Sequence, residues 1–266
     1  TLAAMALAGL PGAHPENWQG LLPLSREDGI AASDIRVSAS KFESFEQCPL
    51  HWFISSFGGD QGGFQASVGT LLHAALEAAS SGADPADFVD QSWHTVEFES
   101  EWLANKSRRE AAQMAGLISE YLASSAELVA AEKGFRVTIG SLQVSGRIDR
   151  IERSELGLEA VDLKTGKKMP SQAEMASHRQ LAIYQLAIES TYDEKPAGGR
   201  LVSIGSNKVK TLAQPALSQE LRDELTEVAG AIQGQLENGL FTARIDEHCE
   251  KNGSCQLLIG RVITGG

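Results

Sequence analysis

Two acid-bearing runs constrain this chain more than anything else in it: Gly146-Arg147-Ile148-Asp149-Arg150 and Val161-Asp162-Leu163-Lys164-Thr165-Gly166. Each reads as a short buried strand carrying an acid. Between them, the polar, glycine-containing Ser154-Glu155-Leu156-Gly157-Leu158 reads as a hairpin turn. Residues i and i+2 of a strand share a face, so Asp162 and Lys164 point to the same side. The hairpin then sets two carboxylates and one ammonium on adjoining strands. Carboxylates that close repel each other unless a cation lies between them, and an oxygen-ligand site with room for water suits Mg²⁺ or Mn²⁺. A lysine on the same face can orient or deprotonate an attacking water, or steady a phosphorane-like transition state. Alone, Asp-x-Lys is an everyday pattern, and a solvated hairpin with a salt bridge also explains it.

The remaining segments predict a mixed α/β (α+β) chain. Ser40 reads as an N-cap, with Glu43 at the reciprocal capping-box position, for a helix running into Gln47-Cys48-Pro49-Leu50-His51-Trp52-Phe53. Residues 57–68 are glycine-rich and loop-like, and Gly69-Thr70-Leu71-Leu72-His73 starts the next helix. A lone histidine on such an apolar helix is ordinarily a packed core residue. Residues 84–130 show helical apolar spacing throughout and form a helical lobe, with Trp93, Phe98 and Trp102 as its core rather than as base-stacking platforms. Glu132 reads as the last turn of that helix. Strands follow at 135–139 and 142–144 around Gly140-Ser141, then the acid-bearing hairpin. A helix over 180–190 puts Gln180 and Tyr184 on one face. Residues 201–204 are the last clear strand, and 217–240 an acid-rich amphipathic helix.

G-x-x-D ending at Asp149, D-x-K at Asp162–Lys164 and Q-x-x-x-Y at Gln180–Tyr184, in this order and at these distances, resemble the PD-(D/E)XK nucleases of the RecB type. Ile148 stands where the family name has its proline. Gly69-Thr70-x-x-His73-x-x-x-Glu77 resembles the family's helix whose histidine gives the metal a nitrogen ligand. The resemblance implies a restriction-endonuclease-like core, a small mixed central sheet flanked by helices, over residues 36–266 with an inserted helical lobe at about 84–130. It implies that His73, Asp149 and Asp162, with the Leu163 carbonyl, hold Mg²⁺ or Mn²⁺. Lys164 then orients the water that attacks a phosphodiester, and Gln180 and Tyr184 orient Lys164 or contact the DNA backbone. An upstream acid can also sit near the metal in this family, which makes Glu132 a further candidate.

Ser38-x-Ser40 followed by Cys48-Pro49-Leu50-x-Trp52-Phe53 resembles the first helix of RecB-type nucleases that carry an iron–sulfur cluster, whose tails read Cys-x-x-Cys-x-x-x-x-x-Cys. Here Cys249 and Cys255 keep the five-residue gap, but Asp246 stands where the first tail cysteine belongs. The resemblance implies a [4Fe-4S] cluster on Cys48, Cys249 and Cys255, with Asp246 or His248 in the fourth place. It leaves open a lost cluster whose thiols merely pack, and Zn²⁺ on three thiolates is the chemical rival.

Residues 1–35 carry Pro11-Gly12, His14-Pro15, Trp18 and Pro23 and read as an extended lead-in. Their order resembles the segment joining motor to nuclease in actinobacterial AdnA/AdnB-type helicase–nucleases. That implies an upstream helicase motor in the same chain and a second helicase–nuclease subunit. It agrees with a start lacking Met, expected of a piece of something longer. A net charge of −12 argues against a free-standing, non-specific DNA binder, so DNA must meet a local basic groove or be delivered by a partner. The three cysteines form no disulfide framework, and no apolar run approaches a membrane span, so a cytoplasmic protein is expected. The expected function is divalent-metal-dependent hydrolysis of DNA, on single-stranded ends, within an end-resection and repair machine. The alternative is a catalytically silent nuclease-like module that guides DNA or docks a subunit. A hydrolase of small phosphoesters is a further rival.

Overall fold

The computed structural model describes residues 2–10, 12–14, 37–57 and 64–244. After a short helix α1 (Leu2–Leu7), strand β1 (Val37–Ser38) leads into helices α2 (Ala39–Gln47) and α3 (Pro49–Phe57). Three helices follow: α4 (Phe64–Ala79), α5 (Pro85–Ser92) and α6 (Glu101–Ser124). A meander of β2 (Glu127–Ile139), β3 (Leu142–Ser154) and β4 (Gly157–Lys164) comes next, then α7 (Gln172–Met175) and α8 (Arg179–Tyr192). The described chain closes with β5 (Gly198–Ser203), β6 (Lys210–Pro215) and α9 (Gln219–Asn238).

The strands form one mixed sheet in the order β1-β3-β4-β5-β6, with β2 also paired to β3. β4 and β5 are parallel neighbours and need a crossover, which α8 supplies. Both faces of β4 are covered over its second half, so residues 160–163 are buried without alternation. On one face α2, α8 and α9 pack Phe42, Phe45, Ile183, Ile188, Leu225 and Ile232 against Ile151 and Ala160. On the other, α4, α5 and α6 pack Leu72, Leu76, Val89 and Ile118 against Val161, Leu163 and Val202. The mixed sheet flanked by helices is the one the sequence predicts.

Helix starts follow local chemistry. Asp84 caps α5 by accepting from the Ala86 and Asp87 N–H groups, with Pro85 at the first position. Ser100 and Ser218 cap α6 and α9 in the same way. The capping box predicted at Ser40 and Glu43 is not formed. Pairing of Val37 and Ser38 with Val144 and Ser145 fixes where the strand ends, so α2 starts at Ala39 with Ser38 as its N-cap and no side-chain cap bond.

Helical spacing through residue 130 is also corrected. α6 ends at Ser124, and residues from Glu127 pair with Arg153, Glu152 and Ile151 of β3. The Ala-Ala-Glu-Lys run favours a helix locally, but cross-strand pairing decides. β3 is one 13-residue strand rather than two short ones. β6, which its weak pattern hid, pairs antiparallel along β5 and ends in Pro215.

Candidate active site

The C-terminal end of β4 lies between the two helical layers, and both contribute side chains to it. From the α4 side comes His73, whose Nδ1 is 3.3 Å from Asp149 Oδ1. Asp149, on β3, is almost fully buried, and its Oδ2 accepts the Leu163 backbone N–H at 2.7 Å. That bond across the β3–β4 ladder holds the carboxylate toward α4. Leu163 thus positions an acid through its amide.

Glu132 completes the group. It lies on β2 between the pairs Ala131↔Arg150 and Lys133↔Ile148, opposite Asp149, and not in a helix as predicted. Its φ of 45° is left-handed, rare for a non-glycine residue inside a strand, and turns its side chain toward the cluster. Ligand atoms of His73, Glu132 and Asp149 all lie within 4.8 Å of one another. Burial first, then the Asp149 charge, raises the Glu132 carboxyl above its ordinary value. For His73 burial disfavours the charged ring, but the Asp149 hydrogen bond and charge, with Asp162 and Glu132, outweigh it and raise its pKa. Opposing the Glu132 rise are His73 and then Arg147, whose guanidinium lies 3.7 Å from the Glu132 carboxylate. Two facing carboxylates with an imidazole nitrogen make a hard donor set that fits a divalent cation. Sequence alone gave Glu132 little weight, and its signal was its place directly across from Asp149.

On the α8 side the remaining predicted residues form a closed ring of contacts. Lys164 Nζ is 2.7 Å from Asp162 Oδ2 and donates to Gln180 Oε1 at 2.8 Å. Gln180 Nε2 in turn reaches Asp162 Oδ1 at 2.7 Å and the Tyr184 hydroxyl at 2.7 Å. Asp162 is 3% exposed. Burial pushes its carboxyl up to about 6, with Asp149 adding to the rise and Lys164 opposing it. Burial, then the Asp162 charge, likewise raises the Tyr184 phenol far above its ordinary value. Asp162 thus contacts Lys164 and Gln180 and stands outside the tight His73–Glu132–Asp149 group.

Glycines explain how these parts come so close. Gly146 pairs with Phe135, and a Cβ there would meet the Phe135 ring at 3.0 Å. The same ring packs edge-on to Tyr184, with centroids 5.6 Å apart. A Cβ on Gly205 would meet the Gly166 carbonyl oxygen at 2.2 Å, and the Ile204 N–H donates to the Lys164 carbonyl at 3.0 Å. The turn after Lys164 is clamped there.

The predicted cluster ligands fall elsewhere. Cys48, at the end of α2, is buried, and its sulfur lies 3.5 Å from the backbone nitrogens of His51 and Arg244. Asp246, His248, Cys249 and Cys255 lie outside the described residues. Trp93 and Phe98 stack on each other as lobe core, but Trp102 is 71% exposed, which corrects its reading as a core residue.

The fold and these motifs have counterparts. The model of the PD-(D/E)XK nuclease superfamily matches residues 36–257. A crystal structure from Eubacterium rectale, described as a "Putative exonuclease", shares the fold with a TM-score of 0.52 at 12% identity, covering 87% of this chain and 94% of that one. The crystal structure of SSO0001 aligns with a TM-score of 0.32 at 16% identity over 55% of this chain and 73% of its own. No curated protein matches. With a family match spanning most of the chain, over the same strands that carry Asp149, Asp162 and Lys164, this protein belongs to the PD-(D/E)XK nuclease superfamily.

Proposed function

We propose that the chain is a divalent-metal-dependent deoxyribonuclease that hydrolyses phosphodiesters at single-stranded DNA ends. One observation carries the reading: a hard-donor group of His73, Glu132 and Asp149 stands beside an ammonium, Lys164, that Asp162 and Gln180 hold in place. Nucleases of this superfamily generally use Mg²⁺ or Mn²⁺. When bound among His73, Glu132 and Asp149, such an ion supplies positive charge that acidifies water and offsets charge on the leaving oxygen.

The chain's own groups do the rest. Asp149, fixed by the Leu163 amide, and Glu132 bind the ion. Lys164 orients the attacking water and neutralises charge on the phosphoryl oxygens. Asp162 and Gln180 keep the lysine aimed, and Tyr184 keeps Gln180 aimed. The test is cleavage of an end-labelled oligonucleotide with Mg²⁺ or Mn²⁺. We expect Lys164→Ala and Asp149→Ala each to lose at least 100-fold in rate with unchanged circular dichroism. Variants that cut as fast as the parent would remove the site, and a parent that binds DNA without cutting in either metal would favour the silent guide or docking module.

More finely, we propose that residues 36–266 with the lobe at about 84–130 serve as the nuclease module of an AdnA/AdnB-type helicase–nuclease, with 1–35 as the lead-in. We further propose that Cys48, Cys249, Cys255 and Asp246 hold an iron–sulfur cluster. Its support is local: the Leu50 N–H donates to the Thr242 carbonyl, bringing the chain just ahead of Asp246 alongside Cys48. Visible absorption together with iron and zinc analysis of the purified protein checks this. A colourless protein containing only zinc would replace iron with zinc, and a metal-free one would leave three packed thiols.

A further inference from the structure

The depression over the acid cluster opens into a second groove. Gly69 and Thr165 line both. The second groove, about 440 Å³, runs between α4, α6 and the turn after β4, and is large enough for a nucleotide. Its floor is apolar, built from Val68, Leu72 and Met114, and its rim carries Lys106 and Lys167. Glu110 also lines it, one acid beside two lysines. At the α6 side stands Trp102, 71% exposed, with Lys106 Nζ 5.7 Å from its ring centroid. The indole adjoins the groove through the lysine they share, Lys106.

We infer that this groove seats the single DNA strand next to the phosphate being cut. Lys106 and Lys167 meet its backbone, the apolar floor takes a sugar and base, and Trp102 stacks on a further base. The chemistry selects this occupant. Aromatic faces stack on bases of any sequence, and paired duplex bases are not free to stack on an outside ring. In a chain of net charge −12, two lysines on one apolar slot give a local attraction for a polyanion. The inference rests on the nuclease reading above and names the substrate form and the residues that recognise it.

The test uses the full chain in EDTA, so that nothing is cut. Binding of a fluorescein-labelled twelve-nucleotide oligo-dT and of a blunt hairpin duplex of equal length is followed by anisotropy, and tryptophan emission by quenching. We expect tighter binding of the single strand, with indole quenching. Trp102→Ala should weaken single-strand binding about 10-fold and remove most of the quenching, while Trp102→Phe keeps most of the affinity. Melting of the free protein should be unchanged, because the ring is exposed. With Mn²⁺ present, Trp102→Ala should raise KM and leave kcat nearly unchanged.

Equal single-strand affinity in parent and Trp102→Ala overturns the inference, as does duplex binding as tight as single-strand binding, or no binding at all. A parent that never cuts but binds oligo-dT through Trp102 would sink the catalytic reading and leave the groove as a single-strand binding site. A parent that cuts while Trp102→Ala binds unchanged does the reverse.

Discussion

Glu132 shows how much one residue's backbone can matter. Its left-handed φ costs about 1–3 kcal/mol, and it places a carboxylate directly against another. On the metal-ligand reading proposed above, both costs weigh on the metal-free protein, with His73 and Arg147 offsetting part of the charge repulsion. Glu132→Gln should therefore lower Mn²⁺ affinity at least 10-fold by calorimetry while raising the metal-free Tm by about 2–4 °C. A variant that binds Mn²⁺ as tightly as the parent would take Glu132 out of the ligand set. That Asp162 and Lys164 share a face was legible from strand periodicity, and that Gln180 and Tyr184 share one from helix periodicity, whereas their meeting at Lys164 came only from the family resemblance. Glu132 was not, because a run of Ala, Glu and Lys gives no local sign of a strand. Trp102 was misread for a related reason: apolar spacing along α6 says which face is buried only on average, and this ring lies off the packed stripe.

At the scale of elements, two arrangements position the site. The first is the start of α8, where the His178 Nδ1 accepts the Leu181 N–H. Burial first, then the Lys164 charge, lowers the His178 pKa from 6.5 to about 4. A histidine whose folded pKa lies below its unfolded one contributes stability that is whole above about pH 6.5 and is lost as pH falls toward 4. At full protonation the loss is roughly 3 kcal/mol. Asp162 works the other way in the same window, since its raised carboxyl favours the folded state as it takes up a proton. The clean readout is therefore a difference: His178→Asn keeps a cap but does not titrate, so its stability between pH 7 and 4.5 should fall less than the parent's in urea melts. Parallel curves would mean that His178 does not titrate in this range.

The second arrangement bolts α6 to the sheet. Glu152 is fully buried and accepts from the Tyr121 hydroxyl at 2.6 Å, Arg150 Nε at 2.9 Å and Arg200 at 2.8 Å. Glu152→Gln leaves two guanidiniums without their shared carboxylate and should cost about 3–5 kcal/mol in denaturant unfolding. A loss under about 1 kcal/mol would show that water replaces it. Alternating charges along a strand usually face solvent, so nothing in the local sequence marks Arg150 and Glu152 as a buried pair. Only the arrival of Tyr121 from a distant helix buries them.

For the whole molecule, the sheet with helices on both faces was legible because the motif order and the two strand runs carry it. What lies between those runs depends on long-range pairing, so the true start of β2, the edge strand β6 and the first turn of α2 were decided outside their own segments. The site itself spans three layers: His73 comes from one helical face, Gln180 and Tyr184 from the other, and the acids from the sheet between. Neither half of the fold owns the full set of groups. A ribosome-bound or heat-loosened chain with only one face docked would carry acids without their imidazole, or a lysine without its anchor. Cutting power and tertiary order should thus vanish together, sparing a cell's own DNA from unfinished copies of the protein.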